Sequence, residues 1–359
     1  MKIGIDVSII ESNIAGIGHY VVGLIEGLVK VDRENNYVLI TNNAENLKAL
    51  KLRKNFEIIE LKSKKVNFFW ILKAGRYLRK QKIELLISPA NFIFGVIFPN
   101  TIQIVYDLAP IKYPNFFSRI GALKYKLQLN WAVRNVKSIA TISETVKREL
   151  LDNYKSLDNK VHKIGMGMNK VLLEPRDDDS SIEVKNKYNL PDKFLLSLGT
   201  LEPRKNYVNM IKGFGKFVKN NSDFKYVIVG KKGWFYKEIF KTVKDLNLTK
   251  NVIFTGYALE EEINHLYDLA SGFVYLSLYE GFGMPNIEAY SRGLPVLTSG
   301  IPVFRETMRD NAVFANPIDI DSIASGMEKL ISFGKVRIDK SFLGGYSWEK
   351  VAEKLVALY

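Results

Sequence analysis

Short apolar runs alternate with longer amphipathic stretches along the whole chain, and this alternation constrains the fold more than any other feature of the sequence. The apolar runs have the length of β-strands and the stretches between them have the length of helices, which is typical of parallel α/β sheets. We predict strands at 2–7, 37–41, 56–61, 85–88, 102–106 and 138–142 in the first half, and at 194–198, 226–229, 252–255, 273–276 and 295–298 in the second. The sequence therefore predicts two doubly wound parallel sheets.

The chain has 359 residues, which is enough for two domains of common size. A polar, acidic segment with a proline, 174–181, separates the two series of predicted strands. We predict a first domain at 1–172, a linker at 173–185, a second domain at 186–345 and a closing helix at 346–359. In that helix Ser347 is a candidate N-cap, and an apolar stripe suited to docking is formed by Trp348, Val351, Leu355 and Leu358.

Composition excludes several classes of chemistry. The chain has no cysteine, so it forms neither disulfides nor thiolate metal sites, and its three histidines lack the spacing of zinc ligands. The acidic run 177–179 falls in the predicted linker, and we interpret it as a solvated charge run. No signal peptide is apparent and no stretch approaches the roughly 20 apolar residues of a membrane span, so we expect any membrane contact to be peripheral.

The segment from Glu280 to Glu288, EGFGMPNIE, follows the predicted strand at 273–276. Gly281 and Gly283 let the backbone approach a ligand, and Pro285 suits the first turn of a helix. A strand, a glycine turn and a helix N-terminus together present backbone N–H groups to a phosphate. The two glutamates can accept hydrogen bonds from sugar hydroxyls. The same spacing also fits an ordinary α/β turn with two solvated glutamates.

A second turn, GTLEPRKN at 199–206, follows the predicted strand at 194–198. Arg204 and Lys205 would then lie at the carboxyl end of a parallel strand, where open α/β sheets bind ligands. The arginine fork and the compact lysine charge are suited to neutralising a diphosphate. A solvated basic pair is the alternative interpretation.

The two turns, in this order and on strands of one sheet, resemble those of the retaining family 4 glycosyltransferases. The resemblance extends over nearly the whole chain, through IGID at 3–6, GIGHY at 16–20, TISE at 141–144, FTGY at 254–257 and YSWEK at 346–350. It implies a GT-B fold, in which two Rossmann-like domains with doubly wound parallel sheets face a cleft and a C-terminal helix crosses back to the first domain.

The resemblance also implies roles for individual residues. Arg204 and Lys205 would hold the diphosphate of a nucleotide sugar, GDP-mannose or a UDP-sugar, while Glu280 would lie beside the donor sugar and Glu288 would bind the ribose. Catalysis would be largely electrostatic. The remaining donor-binding candidates are Gly16, Gly18, Thr200, Tyr257, Gly281, Phe282, Gly283, Met284, Pro285 and Asn286.

Two positions depart from the family pattern. Tyr106-Asp107 stands where many members carry a His-Asp pair, and Thr200 stands where some relatives have an arginine. We keep Tyr106 and Asp107 as catalytic candidates, although a phenol with a pKa near 10 is a poor base at neutral pH. These departures affect the expected sugar and catalytic base, but not the fold.

The net charge of +14 is concentrated in the first half of the chain. The stretch 62–82 has eight basic residues and no acidic one, and 112–137 has six and none. Aromatic residues accompany both, which favours an anionic membrane surface. Candidates for this membrane or acceptor surface are Lys64, Lys65, Phe68, Phe69, Trp70, Arg76, Lys124 and Lys126. A core-packed helix with a solvated basic face is the alternative, and no nucleic-acid module accompanies the charge.

We therefore expect a retaining glycosyltransferase that moves a hexose from a nucleotide sugar to a lipid-linked or saccharide acceptor in the synthesis of surface polysaccharide such as O-antigen, capsule or lipopolysaccharide. We expect no metal and no cofactor besides the donor, no nucleic-acid partner, and a cytoplasmic location on the inner face of the plasma membrane. The alternative is a catalytically altered regulatory protein that binds nucleotide sugars on the same fold.

Overall fold

The computed structural model describes residues 1–10, 16–169 and 177–359. Its strands are β1 Lys2–Asp6, β2 Asn36–Thr41, β3 Phe56–Glu60, β4 Leu85–Ser88, β5 Thr101–Val105, β6 Ser138–Thr141, β7 Val161–Lys163, β8 Phe194–Leu198, β9 Lys225–Val229, β10 Val252–Gly256, β11 Gly272–Tyr275, β12 Val296–Ser299 and β13 Val313–Ala315. Every strand predicted from the sequence is present. The two short strands β7 and β13 were not predicted, because three residues are too few to show a periodic pattern.

Helices fill most of the intervals between the strands. They are α1 Ile17–Val31, α2 Phe68–Lys80, α3 Phe94–Ile97, α4 Ala109–Lys112, α5 Arg119–Asn135, α6 Glu144–Asn153, α7 Asp178–Lys187, α8 Tyr207–Phe217, α9 Lys237–Asp245, α10 Glu260–Leu269, α11 Met284–Ser291, α12 Pro302–Met308, α13 Ile320–Ser332, α14 Lys340–Leu343 and α15 Trp348–Val356. Among the described residues no helix has the length and apolarity needed to cross a bilayer.

The strands form two parallel sheets, as the sequence predicts. The first has the order β3-β2-β1-β4-β5-β6-β7 and the second has the order β10-β9-β8-β11-β12-β13. In each sheet the order changes direction beside the first strand, between β1 and β4 and between β8 and β11. Open α/β sheets bind ligands outside the carboxyl ends of the strands at such switch points. The two turns singled out in the sequence follow β8 and β11, so both lie at the switch point of the second sheet.

Contacts divide the chain into two compact units, Met1–Met168 with Gly344–Tyr359, and Asn169–Leu343. Helix α7 occupies much of the segment predicted as a linker, whose residues 173–176 lie outside the described residues. The acidic run 177–179 is exposed, as expected of a solvated charge run, and it forms the N-cap and first residues of this helix. The carboxylate of Asp177 accepts a hydrogen bond from the backbone N–H of Asp179 at 3.2 Å, and acidic residues at this end of a helix are favoured by its dipole.

Helix α15 packs against α1 within the first unit, as the apolar stripe predicts. The hydroxyl of Ser347 accepts a hydrogen bond from the N–H of Lys350 at 3.3 Å, which confirms the predicted N-cap. Trp348 lies against α1 at two glycines, with its indole at Gly23 and its backbone at Gly27. A Cβ at Gly23 would lie 2.1 Å from Cε2 of Trp348, and one at Gly27 would lie 2.3 Å from its carbonyl oxygen. The absence of side chains at these positions permits the close approach of the two helices.

Candidate functional site

The turn after β8 is held in place by hydrogen bonds to the segments after β11 and β13. A 3₁₀ turn, Pro203–Lys205, is followed by Asn206 in the left-handed conformation with φ of 63°. The side-chain amide of Asn206 donates to the carbonyl oxygens of Leu276 at 3.0 Å and Pro317 at 2.7 Å. These contacts fix the two basic residues of the turn beside the loop that follows β11.

Arg204 and Lys205 converge on one carboxylate. Nη1 of Arg204 lies 2.6 Å from Oε2 of Glu280, and Nζ of Lys205 lies 2.6 Å from Oε1 of the same residue. Nη2 of Arg204 also contacts Oε1 of Glu202 at 2.8 Å. Glu202 and Glu280 are both buried. The alternatives of a solvated basic pair and of a solvated glutamate at position 280 are therefore wrong.

Tyr275, at the end of β11, completes this cluster. Its hydroxyl accepts a hydrogen bond from the ammonium group of Lys205 and donates one to Oε1 of Glu280 at 3.0 Å. The ring also lies beneath the ammonium group, with 4.8 Å between Nζ and the ring centroid. Glu280 and Tyr275 take up two of the three N–H donors of Lys205, so a further anionic oxygen can be bound without breaking either contact.

The protonation of the cluster follows from its burial and its charges. Burial alone would raise the pKa of the Glu280 carboxyl, but the charges of Arg204 and Lys205 outweigh burial and lower that pKa to about 2. Burial lowers the pKa of the Lys205 ammonium, and Glu280 opposes this effect. The carboxylates of Glu202 and Glu280 thus hold Arg204 and Lys205 in fixed positions in a largely buried site.

The glycine turn after β11 has the predicted form. Gly283 has φ of 88° and precedes α11. A Cβ at this position would lie 2.2 Å from Cε1 of Phe304, so only glycine fits. Helix α11 contains Pro285 in its first turn, as expected. The side-chain amide of Asn286 donates to the hydroxyl of Thr298 at 2.9 Å, and its backbone N–H donates to the carbonyl of Gly283 at 3.1 Å.

Glu288 lies on α11 and has a different environment from Glu280. The hydroxyl of Tyr267 donates to Oε2 of Glu288 at 3.1 Å. Burial raises the pKa of the Glu288 carboxyl to about 7, although the hydrogen bond from Tyr267 opposes this shift. The nearby Glu260 raises the pKa of Glu288 further, whereas Arg204 and Lys205 lower the pKa of Glu280. The charge of Glu288 therefore changes in the neutral range, and perturbed pKa values of this kind are frequent at functional sites.

The other candidates of the second unit lie at the same edge of its sheet. Thr200 follows β8, Tyr257 follows β10 and is largely exposed, and Phe282 and Met284 are buried in and after the glycine turn. The loop after β9 was not singled out in the sequence. It joins this edge because the N–H of Leu201 donates to the carbonyl of Lys231 at 3.0 Å and the N–H of Gly233 donates back to Leu201 at 3.1 Å.

The remaining candidates belong to the first unit. Gly16, with φ of 50°, precedes α1, and Gly18 is buried in its first turn. The hydroxyl of Tyr106 is buried, and no hydrogen-bond partner for it occurs in the described part of the chain. Burial raises the pKa of this phenol well above its usual value, so Tyr106 stays protonated at neutral pH and is unsuited to act as a base. Asp107 accepts a hydrogen bond from the N–H of Ala109 at 2.9 Å.

A buried carboxylate near Tyr106 was missed in the sequence. Asp6 ends β1 and accepts hydrogen bonds from the hydroxyl of Ser8 at 2.6 Å and from the amide of Asn91 at 2.5 Å. Burial raises the pKa of Asp6, and these hydrogen bonds oppose the shift. Asn91 follows β4, and it reaches Asp6 only because β4 lies beside β1 in the sheet, which no spacing in the sequence reveals.

The proposed membrane surface needs one correction. Among its candidates the exposed residues are Lys64, Lys65, Phe68, Phe69, Arg76, Lys124 and Lys126. Trp70 is only 4% exposed, and its indole N–H donates to the carbonyl of Leu61 at 2.7 Å. Trp70 lies one residue after Phe69 on α2, so its side chain packs with Ile71, Ala74 and Leu78 in the core. The assignment of Trp70 to the membrane surface was therefore wrong.

Comparison with known proteins places these features in a family. Residues 178–339 match the family described as Glycosyl transferases group 1. The chain is 31% identical to the O-antigen chain mannosyltransferase RfbU of Salmonella typhimurium over 262 residues, which cover 73% of this chain and 69% of that protein. It is 24% identical to the O-antigen chain mannosyltransferase B of Escherichia coli over 289 residues, covering 79% and 75% of the two chains.

Solved structures share the fold of the whole chain. Anabaena HepE in complex with UDP and glucose aligns with a TM-score of 0.78 at 14% identity, covering 99% of this chain and 98% of that one. Sucrose-phosphate synthase from Thermosynechococcus elongatus aligns with a TM-score of 0.79 at 17% identity, covering 100% and 98%. The two parallel sheets and the similarity to RfbU lead to one conclusion: the chain is a glycosyltransferase with a GT-B fold and belongs to the glycosyl transferases group 1 family.

Proposed function

We propose that this glycosyltransferase moves a hexose, with mannose favoured, from a nucleoside-diphosphate sugar to a saccharide acceptor in O-antigen or related surface-polysaccharide synthesis. The names of its relatives RfbU and mannosyltransferase B support mannose and O-antigen. The observation that carries the proposal is the buried cluster of Arg204, Lys205 and Glu280 beside the glycine turn. Two fixed cations and a helix N-terminus at the switch point suit a diphosphate.

In the proposed reaction the two cations stabilise the leaving group. Negative charge builds on the diphosphate as the bond between the sugar C1 and the phosphate oxygen breaks, and Arg204 and Lys205 interact most strongly at that stage. Because Glu202 and Glu280 already fix both side chains, little reorganisation is needed when the charge develops. These cations supply the positive charge at the leaving group, so we propose that transfer needs no metal.

The two glutamates of the motif would bind the donor in different ways. Glu280 is ionised at neutral pH, and a carboxylate has about four acceptor sites, so it can accept a sugar hydroxyl while it keeps Arg204 and Lys205. Glu288 would accept hydrogen bonds from the ribose hydroxyls. Since its pKa is about 7, its strength as an acceptor would depend on pH in the neutral range.

We propose that transfer retains the configuration at C1. The acceptor hydroxyl would attack on the face from which the diphosphate leaves, forming the new C1–O bond as the old one breaks, and its proton would pass to a phosphate oxygen. A protonated Tyr106 is consistent with this route, because it takes no proton from the acceptor hydroxyl. Tyr106 would then help to position the sugar and would not replace the missing histidine as a base.

The acceptor we propose is lipid-linked, and the protein would work at the cytoplasmic face of the plasma membrane. Exposed basic residues of the first unit, among them Lys64, Lys65 and Arg76, support a peripheral contact with anionic lipid. The exposed rings of Phe68 and Phe69 follow two of these lysines and suit the headgroup region.

Turnover tests the proposal. Purified protein is incubated with GDP-mannose and with a panel of UDP-sugars, together with an extract of lipid-linked acceptors, and the anomeric configuration of the product is read by NMR. We expect transfer from one donor with retention, in the presence of a chelator. Thermal stabilisation of the protein by different nucleotides identifies the nucleobase of the donor, because a ligand at 100 times its Kd adds about 2.7 kcal/mol to the free energy of unfolding. Nucleotide binding without any transfer or hydrolysis would instead indicate a regulatory protein.

A further inference from the structure

Helix α5 of the first unit is apolar on two opposite faces. It packs against α3 and α4 and buries Ala122, Leu129, Ala132 and Val133. Its start is capped by Ser118, whose hydroxyl accepts a hydrogen bond from the N–H of Gly121 at 3.1 Å. These contacts account for one face of the helix as an ordinary core contact.

The opposite face carries a row of large apolar side chains in solvent. Ile120, Leu123, Leu127 and Trp131 are between 56 and 83% exposed. With 3.6 residues per turn, the four side chains fall within an arc of about 80° that faces away from the buried residues. A surface helix of a globular protein normally carries polar residues there. Single exposed apolar residues are common, but a continuous row of four indicates a site of interaction.

The charged residues of α5 itself are all basic. Arg119, Lys124, Lys126 and Arg134 are exposed on α5, and the stretch 112–137 contains no acidic residue. By helical position Arg119 and Lys126 lie on one side of the row and Lys124 lies on the other, with Arg134 near its end. An apolar stripe with cations on both sides is the pattern of a helix that lies in the plane of an anionic bilayer surface.

The same charges argue against a second copy of the chain as the partner. Pairing of two such faces would bring the cations of one helix close to those of the other, which is unfavourable. A bilayer with anionic headgroups instead neutralises the cations while the four apolar side chains enter the boundary of the acyl region. Long basic side chains beside the stripe can reach the headgroups as their stems lie along the apolar surface.

We propose that the outward face of α5 is a membrane-docking surface, in which Ile120, Leu123, Leu127 and Trp131 insert into an anionic bilayer and the flanking basic residues bind its headgroups. This inference rests on the proposed function only in that a lipid-linked acceptor gives the contact a purpose. The sequence suggests Phe68, Phe69 and Trp70 as inserting side chains, of which only Trp70 is buried, and the outward face of α5 is a further apolar surface in the same basic half of the chain.

Vesicle binding of the full-length chain tests the proposal. Binding is measured by sedimentation with vesicles of phosphatidylcholine alone and of phosphatidylcholine mixed with phosphatidylglycerol. We expect the wild-type chain to prefer the anionic vesicles, and the double variant L123Q/L127Q to bind them about tenfold more weakly or worse. The variant K124Q/K126Q should lower binding by about fivefold per charge and reduce its dependence on salt.

Matched controls separate this surface from a general loss of apolar or charged residues. The double variant I182Q/I318Q removes two apolar residues of the second unit that are 56% and 71% exposed, and it should bind vesicles like the wild type. The fluorescence of Trp131 gives an independent readout. A blue shift on anionic vesicles should disappear in W131F and persist in W234F.

Equal binding to neutral and anionic vesicles, or undiminished binding of L123Q/L127Q, would overturn the proposal. A wild-type dimer in solution that L123Q/L127Q converts to a monomer would also overturn it, by showing that a second copy covers the face. Thermal stabilisation by nucleotide is measured on each variant. Loss of vesicle binding with unchanged nucleotide binding supports the docking surface, whereas vesicle binding without any nucleotide binding or turnover counts against the proposed function alone.

Discussion

Nζ of Lys205 lies 2.6 Å from Oε1 of Glu280, and the two residues come from turns that follow neighbouring strands of the second sheet. The ammonium group is held by this carboxylate and by Tyr275 beside the glycine turn, where a diphosphate would bind. Its position is fixed by the fold before any ligand arrives. The contributions of this contact to the stability of the fold and to the rate of transfer can therefore be measured separately.

We expect Lys205→Ala to reduce sugar transfer by about 10²- to 10³-fold, as is typical when one group that stabilises developing charge is removed. The unfolding midpoint should change by only a few degrees. Burial makes the Lys205 ammonium costly to keep charged, and Glu280 retains Arg204 and Tyr275 as partners in the variant. Steady-state kinetics and thermal unfolding measure the two effects.

Lys216→Ala is the matched control, because Lys216 lies in the same unit and pairs with Asp321 on the surface. It should leave transfer and stability nearly unchanged. If K205A unfolds below the temperature of the transfer assay while K216A does not, Lys205 is chiefly a structural residue.

Glu280→Gln should destabilise the second unit at neutral pH, because it leaves two buried cations with one fewer carboxylate. The pKa of Glu280 is about 2 in the folded chain against 4.5 without the fold, so its ionisation adds stability above pH 4.5 that is lost as the pH falls toward 2. The shift corresponds to about 3 kcal/mol. Denaturant unfolding at several pH values should show the difference between wild type and E280Q shrinking in acid.

A double-mutant cycle with Lys205→Met sharpens this prediction. The pair E280Q/K205M removes both charges, so its loss of stability should be smaller than the sum of the two single losses by about 1 kcal/mol or more. Strict additivity would indicate that the contact between Lys205 and Glu280 contributes nothing to folding.

The sequence was sufficient for both sheets, for both turns of the site and for the Ser347 cap, because each depends on local patterns of apolar, glycine and capping residues. The partners inside the site depend on strand order. Tyr275 meets Lys205 only because β11 lies beside β8, and no spacing in the chain reveals this. Likewise Phe68, Phe69 and Trp70 form one apolar run, and only the phase of α2 against the core decides that the third is buried.

Donor binding should depend on pH through Glu288. Its pKa of about 7 means that the carboxyl is mostly protonated at about pH 6 and mostly ionised at about pH 8. The ionised form is the stronger acceptor for ribose hydroxyls, so the affinity for a nucleotide sugar should rise by up to about tenfold over this range. Calorimetric titration with an intact nucleotide sugar is suitable, because its two phosphates carry constant charge in this range.

Glu288→Gln identifies the group responsible, since it keeps the shape and removes the titration. The variant should show a flat pH profile at the weaker affinity of the protonated wild type. If the profile of E288Q still rises, another group controls the pH dependence, and the assignment of Glu288 to the ribose loses its support.

Gly23→Ala tests the packing of α15 on α1. Alanine is normally the better helix former by about 1 kcal/mol, but here its Cβ would lie 2.1 Å from Cε2 of Trp348, so we expect a net loss of about 1–3 kcal/mol in denaturant unfolding. Gly215→Ala in α8 is the control. The nearest atom to its Cβ is Cδ1 of Leu248 at 3.2 Å, the end of a flexible side chain, so its effect should be small.

The clash at Gly23 predicts a specific coupling. Trp348→Ala alone should cost about 3–5 kcal/mol, because it removes a buried indole from the contact with α1. Once the indole is gone, G23A has nothing to displace, and the added alanine should be neutral or slightly stabilising. If G23A is equally harmful in the W348A background, the destabilisation arises within α1 itself and not from the docking of the C-terminal helix.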